Sequence, residues 1–387
     1  MIHILPKKKL KILYYTNVDW SFVSHRLDLA KEAIREGFDV HLLCNITSKK
    51  KIIEGCGITL YESFLSRRFN IFKDIIGIIK LIKIIIKIKP DIIHSVSNKN
   101  ILIGGFISRI FRVKITILAV SGLGYLYMNK NLFTKFSKII LHAVYNVVLK
   151  NKKSYVIVQN KNDFNIIHSI LRKNTYKENI ILIPGSGVDI NYFKPLAKVD
   201  GNYSIQENDN ITVSLVARML YDKGIKEFID AAKNLSKKYS KVEFNLYGDP
   251  DLGNPTSIPI DKLSEWNSYI NINWKGYKSN TLSIYNTSDI IVLPSYREGM
   301  PKTILEAASC GKPSIVTDVP GCKDAIIPNK TGLLVKLFDT HDLQNKIEFL
   351  INNADIRNLM GVEARKLAVS KFDVKNINAM QIKLYNN

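Results

Sequence analysis

Glu298 and Glu306, with seven residues between them, are the side chains on which chemistry is most readily placed. The apolar run Ile290–Leu293 ahead of them reads as a buried strand bounded by Pro294. A loop then leads into an amphipathic helix, with Pro301 suited to its first position and Gly311 just past its end. Such a helix aims free backbone N–H groups and the positive end of its dipole at whatever lies beyond the strand, a setting that favours a phosphate. Carboxylates beside a phosphate would repel it. Glu298 and Glu306 are therefore better placed as acceptors for hydroxyls at the two ends of a ligand, as in a nucleotide-sugar with its diphosphate between. Two solvated carboxylates on a surface helix are the plainer alternative.

Two cations point the same way. Arg218 and Lys223 follow the apolar run Ile211–Val216, which reads as a strand, and precede a helix over residues 225–235. At the carboxyl end of a strand, facing the same crevice as residues 294–301, they would neutralise a diphosphate and stabilise it as it leaves. Ordinary surface charge is the competing reading. Asp249-Pro250-Asp251 has the Asp-x-Asp form that can hold a divalent ion, but without further ligands in sight it reads as an Asp-Pro turn, and no catalytic metal is expected.

The elements that must position these groups alternate. Residues 10–15 read as a strand, 24–37 as a helix stopped by Gly37 and capped by Ser24, and 38–43 as a second strand; the pattern continues through 92–93, 114–118 and 155–158. A second strand-helix series begins at residue 211, after a Gly/Pro-dense connection over 183–195 and a polar run over 200–210 that reads as a loop or linker. Alternation at this spacing predicts parallel sheets covered by helices on both faces, with ligands gathered at the strands' carboxyl ends. A chain of 387 residues suits two such domains.

The stretch Glu298-Gly-Met-Pro-Lys-Thr-Ile-Leu-Glu306-Ala resembles the Glu-x7-Glu signature of the retaining glycosyltransferases of family four, which have the GT-B fold. Arg218…Lys223-Gly224 and Gly187-Val188-Asp189-x-x-x-Phe193 are similar to two further elements of that family. The resemblance implies two Rossmann-like domains facing across a cleft: an acceptor-binding, membrane-facing domain over 1–195, a nucleotide-sugar domain over 196–371, and a helix over 372–387 crossing back to the first. It implies that Glu298 holds sugar hydroxyls of the donor and Glu306 its ribose. Gly299, Met300 and Pro301 would bring backbone to the donor, Arg218 and Lys223 would hold the diphosphate, and the loop at Tyr277 would lie beside the base, while the Tyr277 ring itself could simply pack. A front-face reaction without a covalent nucleophile is expected from the family.

The first half departs from the pattern. The loop over 16–26 lacks a glycine pair found in many members, so a backbone contact to the donor phosphate there is not carried over, and it carries His25 and Arg26, either structural or on the acceptor side. Where better-known members have a sugar-contacting His, the chain reads Ser121-Gly122-Leu123-Gly124, so that role cannot be carried over. This form resembles a subgroup acting on undecaprenyl-diphosphate-linked sugars, including N-acetylgalactosaminyltransferases of bacterial glycan assembly. A tight turn with positive φ at Gly122 explains it equally.

The net charge of +22 is uneven: residues 1–195 hold 32 Lys and Arg against 12 Asp and Glu, whereas residues 196–387 hold 24 against 22. An N-terminal domain this basic is suited to an anionic surface. Two stretches are Lys-rich and apolar. Over 69–89, Lys73, Lys80, Lys83 and Lys87 share one helical face, and an ordinary sheet-covering helix is the favoured reading; over 125–153, aromatics and lysines mix in a way suited to a lipid interface. With 46% hydrophobic residues, no uncharged apolar run near the roughly 18 residues of a span, and no secretory segment at the N-terminus, the expectation is a cytoplasmic protein peripheral to the inner face of the cell membrane. The four cysteines read as reduced thiols.

The sequence thus predicts an α/β GT-B enzyme, a retaining, metal-independent hexosyltransferase of bacterial surface polysaccharide biosynthesis. It would use a UDP-sugar donor, a polyprenyl-diphosphate-linked saccharide acceptor and no cofactor. A sugar-nucleotide epimerase of the same fold is the alternative. A non-catalytic basic protein on nucleic acid or membrane is the alternative of another class, though the near-neutral second half with its diphosphate site argues against nucleic acid.

Overall fold

The computed structural model describes residues 9–65, 70–124, 127, 132–196 and 210–387. Met1 to Lys8, the polar run over 200–209, Phe69, Tyr125, Met128 and Lys130, all drawn on above, lie outside the described residues, as does the side chain of Phe133. Contacts divide the chain into two compact units, one of residues 1–186 with 377–387 and one of residues 187–376.

The first unit is built on a seven-stranded parallel sheet of β1 (Lys11–Val18), β2 (Asp39–Asn45), β3 (Thr59–Glu62), β4 (Ile92–Val96), β5 (Ile115–Ala119), β6 (Ser154–Val158) and β7 (Ile180–Leu182). Their order is β3-β2-β1-β4-β5-β6-β7. The strands are short and apolar because both faces are covered. Leu13, Tyr15 and Ile93 pack under helices Ile71–Ile88 and Asn98–Ile110, and Leu118 and Val156 pack under Leu132–Val148. Tyr14, Ile92 and Ile117 face the other way, toward helix Leu27–Arg35 and the chain's last helix, Val374–Tyr385.

That last helix is anchored by a buried polar cluster. The Tyr385 hydroxyl lies 2.9 Å from the Tyr14 hydroxyl and 2.7 Å from His94 Nδ1. Burial, and then the nearby Arg26 charge, pulls the His94 pKa well below the ordinary histidine value, so the ring is neutral.

One local reading is corrected. The helix after β1 starts at Asp19, five residues before Ser24, and breaks at Arg26 before resuming at Leu27. Burial acts to raise the Asp19 pKa, but donors from the Thr47 hydroxyl (2.5 Å) and the Lys49, Thr47 and Trp20 N–H groups outweigh it and hold the carboxylate charged. Thr47 and Lys49 come from beyond β2, which is why the sequence around Ser24 did not reveal the start.

The second unit carries a six-stranded parallel sheet of β8 (Ile211–Val216), β9 (Val242–Tyr247), β10 (Ile272–Trp274), β11 (Ile290–Leu293), β12 (Ser314–Thr317) and β13 (Gly332–Val335). The order is β10-β9-β8-β11-β12-β13, so the chain reverses its direction of travel between the adjacent strands β8 and β11. In open parallel sheets such a reversal leaves a crevice at the carboxyl ends, where ligands bind. The segment after residue 186 is stitched to the one before 377: Val188 donates to the Phe372 carbonyl at 2.8 Å and accepts from Val374 N–H at 3.0 Å.

Candidate active site

Residues Arg218 to Gly224 follow β8, and residues 294–301 follow β11, so the two predicted halves of the site lie on neighbouring strands at the reversal point. The turn over Tyr221–Lys223 closes on Gly224, whose φ is +70°. A Cβ there would stand 2.2 Å from the Pro294 carbonyl oxygen, so only glycine lets the turn lie this close to the end of β11. Tyr296 N–H donates to the Asp222 carbonyl at 2.9 Å, and the Thr303 hydroxyl donates to the Val216 carbonyl at 3.0 Å. These bonds bring the loop and the start of the following helix to the end of β8.

This scaffold places Lys223 against Glu298: the ammonium donates to Oε1, and both side chains are largely buried. Arg218 is more exposed, and its Nη1 donates to Asp251 Oδ2 at 2.6 Å. Asp251 thus has a partner that its Asp-Pro context did not suggest. Asp249 accepts the Tyr277 backbone N–H at 3.0 Å, and the Tyr277 ring is 63% exposed rather than packed.

The helix Lys302–Ser309 begins one residue later than its sequence suggested, with Pro301 as the cap rather than its first residue. Pro301 has a ψ of 110°, outside the helical range, although its carbonyl already accepts from Ile304 N–H. Gly299 and Met300, within the loop, are buried. Glu306 is buried too: Oε2 accepts from the Tyr285 hydroxyl at 2.7 Å, and Oε1 lies 3.8 Å from Lys302 Nζ. Burial raises the Glu306 pKa, with Lys302 and the Tyr285 hydrogen bond opposing it. The Cys322 thiol is held well above its ordinary pKa by burial and then by Glu298, which keeps it inert beside the ion pair.

Two family models match this chain. One, described as glycosyl transferase 4-like, covers residues 11–160, and the other, glycosyl transferases group 1, covers residues 199–367. Together the two models span most of the chain, which is a glycosyltransferase.

Relatives of this glycosyltransferase include the N,N'-diacetylbacillosaminyl-diphospho-undecaprenol alpha-1,3-N-acetylgalactosaminyltransferase of Campylobacter jejuni, 28% identical over 86% of each chain. Another is the UDP-Gal:alpha-D-GlcNAc-diphosphoundecaprenol alpha-1,3-galactosyltransferase of Escherichia coli, 26% identical over 88% of this chain and 86% of that one. Among solved structures, Anabaena HepE in complex with UDP and glucose superposes with a TM-score of 0.74 at 19% identity, covering 98% of this chain and all of that one. Likeness at that identity shows the fold, which is GT-B.

The acceptor-side candidates of this glycosyltransferase all lie in its first unit. His25 is exposed and its Nδ1 lies 3.3 Å from the Ser186 hydroxyl. Arg26 is buried and turned into the core near Tyr14 and Tyr385, with Nη1 donating to the His25 carbonyl at 2.8 Å. Ser121 is exposed, and Gly122 has a φ of +122° in the turn that sends Leu123 N–H to Asp163 Oδ2.

Sequence reasoning missed Asp251 as a partner, Tyr285, and Gly321. Gly321 lies in the loop after β12 with a φ of +83°, and a Cβ there would meet the Glu298 carbonyl oxygen at 2.3 Å. Its Pro320-Gly321 dipeptide marked a turn, but nothing local said what the turn would touch.

Proposed function

We propose that the enzyme moves a hexose or N-acetylhexosamine from a UDP-sugar to a polyprenyl-diphosphate-linked saccharide, with retention at the anomeric carbon and without a metal ion, in the assembly of a bacterial surface polysaccharide. The observation that carries this is Lys223 joined to Glu298 at the reversal point between β8 and β11, inside a glycosyltransferase chain. The Campylobacter and Escherichia relatives, whose names specify undecaprenyl-diphosphate acceptors, support the acceptor class.

On this reading Glu298 accepts hydrogen bonds from donor sugar hydroxyls, and Lys223 and Arg218 neutralise the diphosphate. Negative charge grows on that diphosphate as its bond to the anomeric carbon breaks, and two positioned cations lower the barrier. The acceptor hydroxyl attacks from the face the diphosphate vacates, forming the new carbon–oxygen bond while its proton passes to the departing phosphate oxygen. Glu306, with one oxygen held by Tyr285, presents the other to the ribose. His25, Arg26, Ser121 and Gly122 are proposed to serve the acceptor side, by direct contact or by shaping its loops. No described helix is long and apolar enough to cross a membrane. On this reading the enzyme works at the cytoplasmic face of the cell membrane, its basic N-terminal half meeting anionic lipid, as the lipid-linked acceptor and the charge distribution suggest.

The test is mass spectrometry of a short synthetic prenyl-diphosphate-N-acetylhexosamine incubated with the protein, EDTA and a panel of UDP- and GDP-sugars. A single mass gain with one donor, absent in Glu298→Gln, is expected. No gain with any donor, with or without magnesium or manganese, would overturn the proposal. Conversion of the donor with no acceptor present would show an epimerase instead.

A further inference from the structure

A helix that covers a sheet needs one apolar face, and helix Ile71–Ile88 has two. Leu81, Ile84, Ile85 and Ile88 face the sheet. On the opposite side, Phe72, Ile79 and Ile86 recur about two turns apart with Ile75 and Ile76 beside them, and all five are exposed, Phe72 by 81%. The same holds for helix Leu132–Val148, where Leu141, Val144 and Val148 are buried while Leu132, Phe136, Ile139, Ile140 and Val147 are exposed. Helix Asn98–Ile110 touches both, on the same side of the sheet, and adds Phe106, Ile110 and Phe111 at its carboxyl end.

Three adjacent helices thus present large apolar side chains outward. Isolated exposed apolar residues need no explanation, but a contiguous set across three helices marks an interaction surface. Its charge says what the partner is. Residues 71–148 contain only two carboxylates, Asp74 and Asp91, against 12 lysines and arginines. Asp74 is paired with Lys99 at 2.6 Å, and Asp91 accepts the Lys11 N–H at 3.0 Å. Lys83 stands among the exposed apolar residues, and Lys80 and Lys87 flank them with their ammonium groups over the rings of Phe64 and Tyr61. A second protein copy would bring the same positive charge against itself.

We infer that the outer faces of helices Ile71–Ile88 and Leu132–Val148 form a membrane-docking surface, whose apolar side chains enter the headgroup boundary of an anionic phospholipid bilayer while the lysines meet its phosphates. Apolar faces rimmed by lysine lie in the plane of a lipid interface, and stable attachment takes both contributions. This deepens the proposed function by naming the surface, and it adds a second role to a helix that covers the sheet as its sequence suggested.

The experiment is sedimentation of the full chain with vesicles of phosphatidylcholine alone or with phosphatidylglycerol, alongside light scattering and transfer to a short-prenyl, water-soluble acceptor. Phe72→Asp/Ile79→Asp and Phe136→Asp/Ile139→Asp are compared with Ile270→Asp, an exposed position in the second unit. The expected result is binding to anionic vesicles that weakens with salt, falls about tenfold or more in either double variant, and persists in Ile270→Asp. Transfer to the soluble acceptor should stay at wild-type level in all three. Wild type failing to bind, or double variants binding as well as wild type, would overturn the surface, as would a wild-type dimer that the variants convert to monomer. Absent transfer with intact vesicle binding would instead overturn the proposed reaction and leave the surface standing.

Discussion

Lys223 donates its ammonium proton to Oε1 of Glu298, joining the turn after β8 to the loop after β11. The two residues are 75 positions apart and meet only because their strands are neighbours. On the proposed reading the pair lies where sugar and diphosphate meet. Glu298→Gln and Lys223→Met should each lower kcat by about 100-fold or more, comparable to the loss of a transition-state donor, with little change in far-ultraviolet circular dichroism. Wild-type turnover in Glu298→Gln would remove that residue from the chemistry.

Arg218 is engaged by Asp251 at 2.6 Å, so on the proposed reading a donor diphosphate competes with a carboxylate for the guanidinium. Arg218→Ala should raise the donor KM by roughly 10-fold or more through the loss of a charge-assisted contact. Asp251→Asn should lower it, by about twofold to threefold, with kcat unchanged. Steady-state kinetics over donor concentration distinguishes the two directions.

Gly321 and Gly37 share a positive φ, but their surroundings differ. A Cβ at Gly37 meets nothing within 4 Å, whereas one at Gly321 meets the Glu298 backbone. Both alanine variants should lose roughly 1 kcal/mol or more from backbone strain in thermal unfolding. Only Gly321→Ala should lose transfer activity, by about tenfold, because it displaces Glu298.

Burial raises the Glu306 pKa, and the sign of its pH effect follows. A raised carboxyl pKa means the folded state holds its proton longer than the unfolded one, so stability falls as pH rises from the ordinary glutamate range through the raised value. Glu306→Gln abolishes that titration, and its Tm relative to wild type should improve across this window. Tyr285→Phe removes a donor to the buried carboxylate and should cost about 1–3 kcal/mol in urea unfolding at neutral pH.

His94 titrates with the opposite result. Its pKa is depressed, so the unfolded state takes up a proton first on acidification, and stability is lost as pH falls below about 6.5. Tyr385→Phe leaves His94 Nδ1 and the Tyr14 hydroxyl without their buried partner. It should destabilise the first unit by about 1–3 kcal/mol, read as faster hydrogen exchange in β1 and β4.

Much of this was legible in the chain. Apolar runs of four to six residues alternating with amphipathic segments determined the parallel α/β architecture, because burial on both faces of a strand leaves an unbroken apolar signature. That Arg218 and Lys223 follow one strand end and Glu298 another was legible because their motifs lie next to apolar runs, where local order alone fixes the position. The tertiary structure decided what depends on which strands become neighbours. It chose Asp251 for Arg218, Tyr285 for Glu306, Gly321 for the Glu298 backbone, and Thr47 and Lys49 for Asp19. It also decided that the apolar residues of helix Ile71–Ile88 divide between two faces, since an isoleucine bound for the core and one left outside are the same letter until the sheet beneath is in place.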